Sequence, residues 1–297
     1  MKLVTRSVLA SLLTAAPLLA GCGAPFDAEA GTGPRVVASF YPLQYVAERV
    51  AGDHLSVVNL TSPGAEPHDL ELTVEQTAEV VEAEVVVYQE GFQPAVDEAI
   101  TQTSPDHLVE AGQAVTLEET GAQDSADPHF WHDPTKMSAL ATEVEDRLSE
   151  ADPEHRADYE SNLRSLQDDL TALDHEFRAG LSECAIDTVV VSHDAFGYLG
   201  ARYDLDMHPI NGLTPDAEPS PAHLRELQQL IEQEGVTTVF SETLASPELA
   251  ETLAGDLGIR TGVLDPIEGL TESTSDQDYL SLMRENLAAL QKAGDCR

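Results

Sequence analysis

Basic residues are scarce in this chain: 15 Lys+Arg stand against 54 Asp+Glu, a formal net charge of −39 at pH 7. That balance excludes nucleic acid as a partner, because phosphate recognition needs basic patches. The acidity bears on solubility and on local cation concentration rather than on fold, and salt confines its reach to about 8 Å. Beyond the first 22 residues there is no apolar run long enough to span a membrane. Aromatic residues make up only 5% of the chain, with one Trp, and there are only three cysteines, Cys22, Cys184 and Cys296.

The N-terminus is the exception to the missing apolar runs. Lys2 and Arg6 precede a mostly apolar stretch, Val8 to Ala20, which ends in Leu19-Ala20-Gly21-Cys22. This reads as a lipoprotein signal over residues 1–22, with Cys22 becoming the lipidated first residue of the mature protein. Acyl burial at about 0.8 kcal/mol per methylene would hold that end at a membrane surface. Residues 23–34 read as a flexible tether. With Cys22 assigned to lipid, Cys184 and Cys296 remain in a protein expected outside the cytoplasm, where disulfides persist, so they are expected to pair.

About 260 residues remain, enough for two lobes. Short apolar segments alternate with helical periods: strands at Arg35–Ser39, Leu55–Leu60 and Glu84–Tyr88, then again at Thr188–Ser192, Met207–Ile210, Val236–Phe240 and Arg260–Leu264. Strand-helix alternation predicts an α/β fold of two lobes, residues 35–152 and 182–297, each a parallel sheet covered by helices. Residues 153–181, with Tyr159, Leu163, Leu166, Leu170, Leu173 and Phe177 at three- and four-residue steps, predict one long helix joining them. Ligands of such sheets bind at the carboxyl ends of strands, here the inter-lobe cleft.

The densest chemistry is Asp127-Pro128-His129-Phe130-Trp131-His132-Asp133-Pro134. Two imidazoles and the only Trp lie between two Asp-Pro pairs, and Asp133-Pro134 reads as a helix start. A positive helix end beside the histidines favours their neutral, metal-ligating form. His68 follows the second strand, His193 ends the first strand of the second lobe, and Asp265 ends the last. Three imidazoles and a carboxylate make a tetrahedral zinc set. His132 rivals His129 in it, and Glu242 rivals Asp265. Glu66, beside His68, is a candidate to orient an imidazole.

Six motifs occur in order: Gly64-Ala-Glu-Pro-His-Asp-Leu-Glu-Leu-Thr73, Asp127-Pro-His-Phe-Trp131, Ser192-His-Asp-Ala-Phe-Gly-Tyr198, Glu218-Pro-Ser-Pro221, Phe240-Ser-Glu-Thr-Leu244 and Leu264-Asp-Pro-Ile-Glu-Gly-Leu270. Together they resemble the zinc/manganese-binding receptors of bacterial ABC-type metal importers, from about Val36 to the C-terminus. The resemblance implies two α/β lobes joined by a long helix, with the metal held by His68, His129, His193 and Asp265. The chain departs from the family pattern in having His132 where an apolar residue is usual, and in lacking histidine between Gly112 and Ala126.

The expectation is therefore an extracytoplasmic, lipid-anchored, monomeric receptor that passes zinc to an ABC importer permease. His193 keeps a nitrogen donor where manganese receptors of the family tend to carry a carboxylate, which favours zinc. Manganese or iron is the alternative cargo. A surface metallohydrolase, with Glu242 as general base beside an activated water, and an adhesin on the same fold are the rival functions. No enzymatic activity is expected.

Overall fold

A computed structural model describes residues 35–117, 126–215 and 217–297. The expected signal, Cys22 and the tether lie outside the described residues. Among the described residues, no helix is long and apolar enough to cross a membrane.

Runs of valine set the sheets. In the first, β1 (Arg35–Ala38), β2 (Ser56–Asn59), β3 (Val85–Tyr88) and β4 (Leu108–Glu110) lie in the order β2-β1-β3-β4. In the second, β5 (Thr188–Val191), β6 (Asp206–Pro209), β7 (Thr238–Ser241) and β8 (Arg260–Val263) lie in the order β6-β5-β7-β8. Every pairing is parallel. The central strands β3, β5 and β7 are buried at every residue, as strands covered by helices on both faces must be. Sequence reading therefore anticipates the α/β architecture.

Ten helices among the described residues make the connections and cover the sheets: α1 (Tyr41–Ala51), α2 (Val74–Glu82), α3 (Pro94–Thr103), α4 (Ala111–Val115), α5 (Pro134–Ala151), α6 (Arg156–Leu181), α7 (Gly197–Tyr203), α8 (Pro221–Glu234), α9 (Glu248–Leu257) and α10 (Tyr279–Gly294). Their starts are chemically marked. Thr73 and Gln76 form a capping box on α2, and Ser220 accepts the His223 N–H on α8. Asp133 caps α5 as expected, accepting the Thr135 N–H at 2.8 Å. The sequence reading contains no α3, β4 or α4, because α3 buries only Val96, Ala99 and Ile100 and β4 is three residues long, too little to display a period.

Helix α6, about 39 Å long at 1.5 Å per residue, is the predicted connection. It buries Tyr159, Leu166, Leu170, Leu173 and Phe177. Arg49 of α1 reaches Asp169 at 2.7 Å, and Arg284 of α10 reaches Glu176 at 2.7 and 3.0 Å. Those pairs are partly exposed and contribute little, so the apolar stripe carries the attachment. A helix gripped along its length by elements of both halves is a poor hinge. X-ray scattering with and without zinc is expected to give superimposable curves; a large closure on loading would contradict this.

Cys184 and Cys296 form a disulfide across 112 residues of chain. It fastens the segment before β5 to the end of α10, where the Gly294 carbonyl also accepts the N–H groups of Ala185 and Ile186. Reduction is expected to lower stability by about 2–5 kcal/mol. Thermal unfolding with and without reductant tests this, and an unchanged transition would refute it.

Candidate metal centre

The central motif is built by its two aspartates. Asp127 Oδ1 accepts both the backbone N–H of His129 (2.9 Å) and its ring Nδ1–H (2.8 Å). That fixes the ring and its tautomer, leaving Nε2 as the donor atom. Phe130–His132 makes a single 3-10 turn. Trp131 then donates from its indole to the Pro266 carbonyl at 2.7 Å, and its own carbonyl accepts the Tyr279 hydroxyl at 2.6 Å. Trp131 is fully buried, so the first half of the chain is locked to the loop after β8.

Three further segments converge there. His68 lies in the loop between β2 and α2, its ring against Phe92 with centroids 4.4 Å apart. That loop is tied down by Gln93, which donates to the Pro67 carbonyl, and by Gly64, whose N–H meets the Leu270 carbonyl at 2.7 Å. His193 follows β5, and its Nδ1 approaches Glu242 Oε2, just after β7, at 2.6 Å. Glu268 follows β8 and is completely buried.

The Nε2 atoms of His68, His129 and His193 each lie 3.4 Å from Glu268 Oε1. All four donor atoms fall within 4.8 Å of one another, and the three Nε2 atoms and both Glu268 oxygens have no hydrogen-bond partner. At 3.4 Å they are too far apart for good hydrogen bonds. They match the edges of a metal cage instead: zinc bonds of about 2.0–2.1 Å imply tetrahedral edges of about 3.3–3.4 Å, the length of the three nitrogen-to-oxygen separations. Burial of His129, His193 and Glu268 leaves no solvent to satisfy these atoms, and a cation would satisfy all four.

The fourth donor corrects the sequence reading, which placed Asp265 there. Asp265 is used up by the turn: its Oδ1 accepts the Ile267 N–H at 2.7 Å, its own N–H donates to Asn286 Oδ1 at 2.8 Å, and Asn286 Nδ2 returns to its carbonyl at 2.7 Å. Ile267 adopts φ +58°, a left-handed conformation that a β-branched residue takes only under constraint. The turn thereby brings Glu268, not Asp265, to the histidines. A signal was present, since an aspartate before proline is a turn former whose carboxylate tends to bond its own backbone.

The other candidates also take definite places. His132 is fully buried but lies outside the donor set, its ring packed on Phe196 at 4.8 Å and both its nitrogens without hydrogen-bond partners. Glu242 lies behind His193, 2.6 Å from its Nδ1, and outside the donor set. Glu66 accepts the His68 backbone N–H at 3.1 Å, holding the chain rather than the ring. His54 and His155 stack on each other at 4.0 Å beside Asp158 and Asp152.

Residues 36–293 match the family model for the periplasmic zinc-uptake complex component A, ZnuA. The chain belongs to this family. It is 33% identical over 278 residues to the zinc-binding lipoprotein AdcA of Streptococcus pneumoniae, covering 88% of this chain and 56% of that protein. It is 30% identical over 275 residues to the high-affinity zinc uptake system protein ZnuA of Bacillus subtilis, covering 86% of each. The chain thus spans little more than half the length of its streptococcal AdcA relatives. Among solved structures it is similar to the Zn(II)-bound ZnuA-like domain of AdcA (TM-score 0.77, 33% identity, 89% of this chain and 100% of that one). It is also similar to the laminin-binding protein Lmb of Streptococcus agalactiae (TM-score 0.81, 28% identity, 88% and 99%), described as having adhesin and metal-transporting activity.

Charge at this candidate site is set by burial and by the groups facing one another. Burial pushes the Glu268 carboxyl up, but the three imidazoles around it outweigh that and hold it well below the usual range. Burial likewise disfavours the imidazolium at His193, yet Glu242 and Glu268 raise it to about 10; Asp127 and Glu268 raise His129 against its own burial. His129 differs from the neutral form expected beside the helix start, because a carboxylate on each side of its ring outweighs the helix end. His132, buried and repelled by His129, is lowered to about 3 and stays neutral. Burial and then repulsion by Glu268 push Glu66 up to about 7.

Since His193 carries a proton at pH 7, zinc must displace it, and affinity falls as pH falls. One proton released changes affinity about tenfold per pH unit. Zinc calorimetry in buffers of different ionisation enthalpy is expected to report at least one proton released at pH 7. A buffer-independent enthalpy would contradict this charge balance.

Proposed function

We propose that this chain is an extracytoplasmic receptor that captures zinc at His68, His129, His193 and Glu268 and delivers it to an ABC-type importer permease. The observation that carries the reading is the buried tetrahedral spacing of four unpartnered donors. Three imidazoles and one carboxylate suit zinc better than manganese, which prefers oxygen-rich sets. Four protein donors leave no position for an activated water, which favours capture over hydrolysis and makes Glu242 an orienting group rather than a general base. Similarity to zinc-binding AdcA and ZnuA supports the same cargo. Anchoring through a lipid on Cys22 and a monomeric state belong to the same proposal.

Zinc titration against a competing chelator tests the ligand set. Alanine at His68, His129, His193 or Glu268 is expected to weaken zinc by at least about 10-fold, more than the range set for orienting groups at its lower end. Asp265→Asn is expected to act less, through the turn alone. Loss of zinc in Asp265→Asn with retention in Glu268→Ala would overturn the set. Zinc-dependent growth of cells carrying the chain and its permease tests delivery.

A further inference from the structure

Gly197 begins α7 with no unusual backbone angle, so glycine is not required there for its conformational freedom. It is required for space. A Cβ at this position would come within 2.7 Å of Asp127 Oδ2, closer than real Cβ atoms approach anything. The carboxylate cannot yield freely, because Asp127 is nearly buried and its other oxygen holds both the N–H and the ring Nδ1 of His129. The next residue, Tyr198, donates its hydroxyl to the Asp127 carbonyl at 3.0 Å. Six residues, His193 to Tyr198, thus supply one donor and also the seat of the aspartate that aims another.

We propose that Gly197 is a positioning residue: the missing side chain makes the seat for Asp127, through which the second half of the chain sets the orientation of His129. This rests on the zinc reading above. It makes His129 and His193, which come from different halves, organised by a single turn. A side chain at 197 would rotate the Asp127 carboxylate, release His129 Nδ1 and let the ring turn its Nε2 away from the other donors.

A double-mutant cycle tests it. In the whole protein, Gly197→Ala is expected to weaken zinc about 10- to 100-fold, the range for losing an orienting partner, with the unfolding transition retained. The Nδ1–H signal of His129 in nitrogen-15 spectra of the zinc-free protein should disappear. In an Asp127→Ala background, which has lost the orienting group already, Gly197→Ala should have no further effect. Unchanged affinity, or an equal loss in both backgrounds, overturns the proposal. Should Gly197→Ala fail to fold alone, it is expected to fold in the Asp127→Ala background, where the clashing carboxylate is gone, and to bind zinc as Asp127→Ala does; failure to fold in both backgrounds overturns the proposal. Failure of the zinc reading is distinguished by His129→Ala, which would then bind zinc as the wild type does.

Discussion

A carboxylate buried with no hydrogen-bond donor is the constraint around which this molecule is arranged. Glu268 has no exposed surface and no hydrogen-bond partner, a condition that costs several kcal/mol for a lone anion. Only positive charge in the same cavity makes it tolerable, supplied by imidazolium protons or by a dication. The surrounding structure serves to keep three imidazole edges turned toward that one oxygen. Asp127 fixes the His129 ring, Glu242 stands behind His193, and the turn at Ile267 carries Glu268 to them.

The aspartates around the site shape its turns. Asp127, Asp133 and Asp265 are short enough to bond backbone within two residues of themselves, and each does so while shaping a turn or a helix start. Glu242 and Glu268 instead bring a carboxylate to an imidazole remote in sequence. The same distinction explains the one ligand misread from sequence. Asp265 and Glu268 occur in one motif, and a list of metal-binding residue types cannot rank them; the hydrogen-bond demand of the Asp-Pro turn can.

Much of the rest was legible. Valine runs separated by helical periods announce parallel sheets, because both faces of such strands must be apolar, and the long stripe from Tyr159 to Phe177 announces α6. The three histidines were findable because strand ends and the Asp-Pro pairs mark the functional edge. What could not be read depends on tertiary distance. The charge of His129 is set by Asp127 together with Glu268, the latter remote in sequence, and the role proposed for Gly197 by an aspartate 70 residues earlier. Short elements such as β4 were invisible because a period needs more residues than they have.

The donors are spread along the chain from position 68 to position 268, and this has a consequence for biogenesis. A polypeptide made or exported from its N-terminus first presents one imidazole, then two, then three, and none of these partial sets has the carboxylate that neutralises and closes the cage. In the proposed set the fourth donor is added only once residue 268 has emerged, so the order of the ligands along the chain leaves an unfinished chain without a complete cage.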